Sequence, residues 1–175
     1  MTRLEREQPL TGDQVVLRRI RAGDVDELEA LFSEPAVARW WPLFNREKIE
    51  AELLNPDDDT TVYLITVDGH MAGIIQSWEE TDPEYRHAGL DIAVATRRHG
   101  TGVAVDALRT LARHLVRTEG HHRLTIDPAV DNERAIACYK KIGFRPVGVM
   151  RRYERGADGT FHDGLLMDLL SDELE

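Results

Sequence analysis

Apolar residues recur along this chain in two periods, and the alternation between them sketches the elements. Val15-Val16-Leu17-Arg18 reads as a short first strand. After Asp24, a candidate N-cap, Val25, Leu28, Leu31 and Phe32 fall on one helical face. A helical turn is predicted over residues 35–41, ending before Pro42, because the residue preceding a proline avoids the helical region. Asn45 is a candidate cap for a second helix carrying Ile49, Leu53 and Leu54, which stops ahead of Pro56. Residues 60–67 are β-branched and apolar, Asp68-Gly69 is a hairpin turn, and residues 71–78 return as the partner strand.

The second half repeats the logic with a longer helix. Residues 79–87 are polar and contain Pro83, so a loop is expected there, followed by a strand over 89–95. A helix over 102–118 places Ala104, Leu108, Leu111 and Leu115 on one buried stripe, and Gly120 ends it. A short strand at 123–126 stops at Asp127-Pro128. The next helix, 132–142, leads to Gly143 as a left-handed cap and Phe144 as the contact behind it. Residues 145–154 and 160–170 form a terminal hairpin about the turn at 156–159. The order β-α-α-β-β-β-α-β-α-β-β contains no repeat, low-complexity tract or long linker. It predicts an α/β (α+β) fold, one mixed sheet flanked by helices. One domain over residues 1–175 accommodates it, with residues 1–10 a candidate disordered segment.

Composition narrows the setting. A 175-residue chain that is 42% hydrophobic and 31% charged is an ordinary globular domain with a sizeable core. A single cysteine excludes an intramolecular disulfide and points to a reducing, cytoplasmic home. The polar N-terminus lacks the apolar core of a signal peptide, and no apolar run reaches membrane-spanning length. The net charge of −10 argues against nucleic acid and favours cationic partners, although runs such as Asp57-Asp58-Asp59 serve equally as solubilising loops. The seven histidines show no metal-ligand spacing, so no metal site is expected.

The most informative stretch is Gly89-Leu90-Asp91-Ile92-Ala93-Val94 followed by Arg97-Arg98-His99-Gly100-Thr101-Gly102. A strand, a glycine-bearing loop and a helix start leave backbone N–H groups unpaired, where a pyrophosphate can sit. Small residues in the first turn (Gly102, Val103, Ala104) let a phosphate ester approach the backbone. Within the strand, Asp91 projects to the face opposite Leu90 and Ile92, a costly place for a carboxylate unless it meets a cation or a cleft.

These residues, together with Gln76-Ser77-Trp78-Glu79-Glu80-Thr81-Asp82-Pro83 and the run T-I-D-P…N-x-R-A-I-x-C-Y-x-K-x-G-F from Thr125 to Phe144, resemble the GCN5-related N-acetyltransferases (GNATs). Within that superfamily the chain is similar to aminoglycoside 6′-N-acetyltransferases. The resemblance spans roughly residues 60–150. It implies a centrally splayed sheet of about seven strands with about four helices, and acetyl-CoA as the acyl donor. Backbone groups of Ile92, Ala93 and Val94 would pair with the pantetheine arm, as an added strand pairs with a sheet edge. The N–H groups of residues 98–104 would hold the pyrophosphate, with positive charge from Arg97 and Arg98. Asn132, Ala135 and Tyr139 complete the cofactor set, Asn132 serving equally well as a helix cap.

Amide formation from an ammonium and a thioester needs a base, an oxyanion donor and an acid for the leaving thiolate. The resemblance assigns Asp91 as base, with His87 a minor rival, and Tyr139 as acid. The same tyrosine also fits as a core residue beside Ala135 and Ile142. Trp78, Glu79, Glu80, Asp82, Asp91 and Asp127 are the candidate acceptor contacts, Asp127 equally a turn aspartate and Trp78 to Asp82 equally a solvated loop. Trp40-Trp41 either pack on the sheet or line the acceptor cleft, and Cys138 reads as a small helix residue. Three functions follow. The first is acetylation of an aminoglycoside, which removes a positive charge and so underlies antibiotic resistance. The second is acetylation of a siderophore hydroxylysine, a polyamine or a protein N-terminus. The third is a non-catalytic acyl-CoA-binding module. A monomer or a homodimer suits all three.

Overall fold

The computed structural model describes residues 8–174. Its strands are β1 (Leu10–Thr11), β2 (Val16–Arg19), β3 (Thr60–Val67), β4 (His70–Glu80), β5 (His87–Val94), β6 (Arg123–Ile126), β7 (Arg145–Arg155) and β8 (Phe161–Leu170). They form one mixed sheet in the order β1-β2-β3-β4-β5-β6-β8-β7. Every neighbouring pair is antiparallel except β5 and β6. The strand beyond the expected seven is β1, whose Leu10 pairs with Leu17. Of the ten-residue segment read as a candidate for disorder, residues 1–7 lie outside the described part, while Leu10 is ordered by that pairing.

Among the described residues five helices, apart from short 3-10 turns, cover the sheet: α1 (Val25–Ser33), α2 (Pro35–Ala38), α3 (Arg46–Lys48, continuing as a π-helical turn over Ile49–Leu54), α4 (Val103–Arg117) and α5 (Glu133–Lys140). Val25, Leu28, Leu31, Val37, Ile49 and Leu53 of the first three pack on Val62, Leu64, Ile74 and Ala93. The second core joins Val103, Leu108, Leu111 and Leu115 of α4 and Tyr139 of α5 to Leu17, Ile65, Leu90, Leu124 and Met167. Ala104 departs from the predicted stripe. It is half-buried and turned away from the sheet, because α4 seats itself on Val103, Ala107 and Leu111.

Three local predictions are corrected. Asp24 does not cap α1 through its side chain; its carboxylate pairs with Arg18 at 2.7 and 2.8 Å and accepts from the Arg21 N–H at 2.7 Å. The loop expected at 79–87 is shorter, since Glu79 and Glu80 extend β4 opposite Ala88 and His87 of β5. The 132–142 helix ends at Lys140, its last turn tightened by the Ile142 and Gly143 N–H groups donating to Tyr139 and Lys140.

Asn45 caps α3 as expected, accepting from the Lys48 N–H at 3.0 Å. Gly89 is required by contact, for a Cβ there would lie 2.0 Å from the Trp78 indole. Among the buried polar groups, the Asp106 carboxylate in α4 accepts the N–H groups of Asp13, Gln14 and Val15 at 3.0, 2.7 and 3.0 Å. It thereby fastens the segment between β1 and β2 to the helix.

Candidate active site

The sheet opens between its two parallel strands. Only Ala88↔Leu124 and Gly89↔Thr125 pair β5 with β6. Beyond them the chain after β6 follows β8 instead: the Leu165 N–H donates to the Pro128 carbonyl at 2.8 Å, the Val130 N–H to that of Asp163 at 3.0 Å, and Ala129 bridges Gly164. Asp91, Ile92, Ala93 and Val94 form one lip of the opening, and Ile126, Asp127, Pro128 and Ala129 the other.

A cavity of about 1300 Å³ runs through this opening and is lined from both faces of the sheet. Ala36, Val37, Trp40 and Trp41 approach from the α2 side, while Ala104, Ala135, Cys138 and Tyr139 approach from α4 and α5. Trp41 faces the cavity and packs on Phe32 of α1 and on Phe44, with ring centroids 5.4 and 5.3 Å away.

The helix-start loop meets the cavity at Arg98, His99, Gly100, Gly102 and Ala104. Gly102, the N-cap of α4, has φ of 88°, a left-handed conformation that glycine tolerates best. Helix geometry leaves the N–H groups of Val103, Ala104 and Val105 without intrahelical acceptors. Others in the expected set are engaged: those of Arg98, His99 and Thr101 donate to Ala95, Thr96 and Arg98 at 2.8, 3.1 and 3.4 Å. Arg97 turns away and binds the Met71 carbonyl, Thr101 Oγ1 donates to the Arg98 carbonyl, and the Val103 side chain belongs to the core. Asn132 lines the cavity and also caps α5, its Oδ1 accepting from the Ala135 N–H at 3.2 Å. The opening thus offers a strand edge without a strand partner past Gly89, helix-start amides and the cation of Arg98, which fits a phosphorylated thioester with an extended amide arm.

At the other end the cavity gathers carboxylates. Asp91 shares the sheet face of Ala93, and burial, with Asp127 and Glu154 nearby, raises its pKa to about 7 against the opposing bond from the Ile92 N–H at 2.8 Å. Burial likewise raises Asp127, although the Tyr153 hydroxyl donates to it and pulls it down. Glu154 is raised by burial and then by Asp127. Tyr153 is pushed up to about 12, first by that hydrogen bond. Tyr139 is buried, and desolvation followed by the Asp91 charge holds its phenol well above the usual range, so it is fully protonated at neutral pH. Burial also raises the Cys138 thiol, which disfavours a nucleophilic thiolate.

Tyr153 and Glu154 are absent from the sequence-derived set. They reach the cavity through an irregularity of β7 between Met150 and Glu154, where Arg152 takes φ of 51° and its N–H donates to Asp163 Oδ1 at 2.7 Å. Such a bulge re-aims the side chains beside it.

The acidic run expected to meet the acceptor lies elsewhere. Trp78, Glu79, Glu80 and Asp82 are not among the cavity's lining residues. Glu79 points to the α4 side, where it pairs with Arg86 at 2.8 Å and faces His121 at 3.5 Å. Glu80 accepts from the Asp82 N–H at 3.0 Å and Asp82 from the Glu84 N–H at 2.9 Å, so both brace the turn. Trp78 covers Gly89 and meets His87 edge-on at 5.4 Å, and His87 is likewise outside the cavity wall. Extending β4 to Glu80 is what turns Glu79 to the α4 side, since pairing opposite Ala88 fixes the face its side chain takes.

A parted parallel strand pair, helix-start amides and an acid–base constellation meeting through the sheet define a class: a transferase moving an acyl group from a CoA-type thioester to a nucleophile. The comparisons agree. A model of the acetyltransferase (GNAT) domain matches residues 14–145, and the chain belongs to that family. It is thereby an acetyl-CoA-dependent N-acetyltransferase. Over 159 residues it is 26% identical to an aminoglycoside N(6′)-acetyltransferase type 1 of Klebsiella pneumoniae, covering 80% of this chain and 78% of that protein. Its fold is shared by Mycobacterium smegmatis RimJ in complex with CoA-disulfide (TM-score 0.81, 24% identity, 95% and 88% coverage). It is shared also by a Vibrio cholerae spermidine N-acetyltransferase in complex with CoA and spermine (0.78, 18%, 91% and 97%). Among the described residues no helix is long and apolar enough to cross a membrane.

Proposed function

We propose that the protein acetylates an amino group of an aminoglycoside, at the 6′-type position, by direct attack in a ternary complex. The observation that carries this reading is the carboxylate group Asp91, Asp127 and Glu154 at one end of the cavity, with the Tyr139 phenol facing it through the sheet. Three acids in a partly desolvated cleft favour an acceptor with several ammonium groups. Asp91, with a pKa of about 7, takes a proton from the attacking ammonium, and Tyr139 supplies one to the departing thiolate. Acetyl-CoA, when bound, supplies the activated carbonyl. The likeness to the Klebsiella pneumoniae enzyme supports an aminoglycoside acceptor. The same carboxylates suit a linear polyamine, which is the second reading.

A thiol-release assay with acetyl-CoA against aminoglycosides, polyamines, hydroxylysine and N-terminal peptides tests this, with NMR of the product to place the acetyl group. The expected result is release with aminoglycosides bearing a 6′-amine and an N6′-acetyl product. Transfer confined to polyamines or peptides would establish another acceptor.

A further inference from the structure

Where β5 and β6 part, the sheet gives up the hydrogen bonds that would hold its halves at fixed spacing. Further along β5, at Val94, a side-chain bridge links the strand to α5. His99, in the loop before α4, lies 2.8 Å from the Val94 carbonyl through Nε2 and 2.7 Å from Arg134 Nη1 through Nδ1. A guanidinium has donors only, so Nδ1 accepts, the ring proton sits on Nε2, and Nε2–H donates to Val94. The ring is therefore held in one orientation by both partners.

The Val94 carbonyl is on the open side. That of Ala93 faces β4, where a Cβ on Gly73 would come within 2.1 Å of it, and successive strand carbonyls point to opposite edges. Arg134 belongs to α5, the helix that carries Tyr139 and Cys138 to the cavity. The bridge thus joins the β5 lip, the helix-start loop and α5.

We propose that Arg134, His99 and the Val94 carbonyl form a tie that sets the width of the cofactor mouth in place of strand pairing, with His99 and Arg134 as positioning residues. Arg134 orients the ring and the ring orients the loop, so the amides of Val103 and Ala104 meet the cofactor phosphates at a preset distance from α5. The proposal rests on the opening being the acetyl-CoA site and is independent of the acceptor.

The test is binding of CoA to the full chain by calorimetry, with KM and kcat alongside. His99→Leu and Arg134→Leu each remove the bridge and should weaken CoA binding about fivefold, the value of one ordinary hydrogen bond. The larger share of the lost kcat/KM should fall on KM for acetyl-CoA. The double variant should be no worse than the weaker single, because the bridge acts as one unit. His99→Gln, whose amide can accept from Arg134 and donate to Val94, should bind CoA within about twofold of the parent, less than the cost of one hydrogen bond. Additive losses would mean that Arg134 acts on the phosphates directly, and would overturn the proposal. So would a His99→Gln variant as weak as His99→Leu. Should His99→Leu not fold, His99→Asn replaces it, being polar but too short to span both partners. Because CoA binding is read without an acceptor, this result stands apart from the acceptor screen.

Discussion

Asp91 sits in an apolar strand with its pKa at about 7, and that one value ties catalysis to stability. On the proposed mechanism Asp91 works as base only when ionised, so kcat/KM for the acceptor should rise with pH and level off above about 7. Asp91→Asn should lower kcat/KM by at least about 10², the usual worth of a positioned proton-transfer group, and abolish that limb. Stability moves the other way. A carboxyl whose folded pKa is raised binds more protons folded than unfolded, so its penalty grows as pH climbs from about 4 to about 7. Asp91→Asn should therefore raise the melting temperature at pH 8 and change it little at pH 4. Tyr139→Phe should cut kcat by about 10² through loss of the acid, with melting nearly unchanged because the ring still packs near Phe144, centroids 6.3 Å apart. Asp91 was legible because strand alternation isolates it, and Tyr139 through the motif around it. Tyr153 and Glu154 were not, since the bulge that turns them inward depends on Asp163 across the hairpin.

At the scale of elements, periodicity located α1, α4 and α5 and the β3–β4 hairpin, because each is fixed by its own apolar face. It misplaced the loop at 79–87, where residues look polar yet pair in register with His87 and Ala88. Pairing is a property of the partner strand, and composition does not record it. The widening of α3 into a π-helical turn, and the anchoring of residues 13–15 by Asp106, are likewise decided by tertiary contact. Asp106 lies within a helix whose other buried residues are apolar, and only its three backbone partners explain it. Asp106→Ala strands three backbone donors at once and should destabilise the fold by about 2–4 kcal/mol, measured by urea unfolding. The CoA affinity of molecules that remain folded should fall less, since Asp106 does not line the cavity.

Over the whole molecule, a net charge of −10 surrounds a cavity that is itself acidic at the acceptor end. A polycation is drawn to such a surface, and salt screens that attraction within about 8 Å at physiological ionic strength. Raising salt from about 50 to about 500 mM should increase the acceptor KM about tenfold, and Glu154→Gln should flatten the dependence. The fold class was open to sequence reasoning because the order of strands and helices admits few sheets. The passage of the cavity through the sheet was not, for it needs β6 to leave β5 and run along β8.

That departure assigns the two reactants to different kinds of chemistry. On the proposed reading the thioester would meet main-chain amides and carbonyls whose character survives almost any mutation, whereas the amine would also meet replaceable groups, Tyr153 and Glu154, on the outermost strand, β7. Swaps at Tyr153 and Glu154 can therefore retarget the catalyst toward new nitrogen compounds while its donor grip persists unaltered.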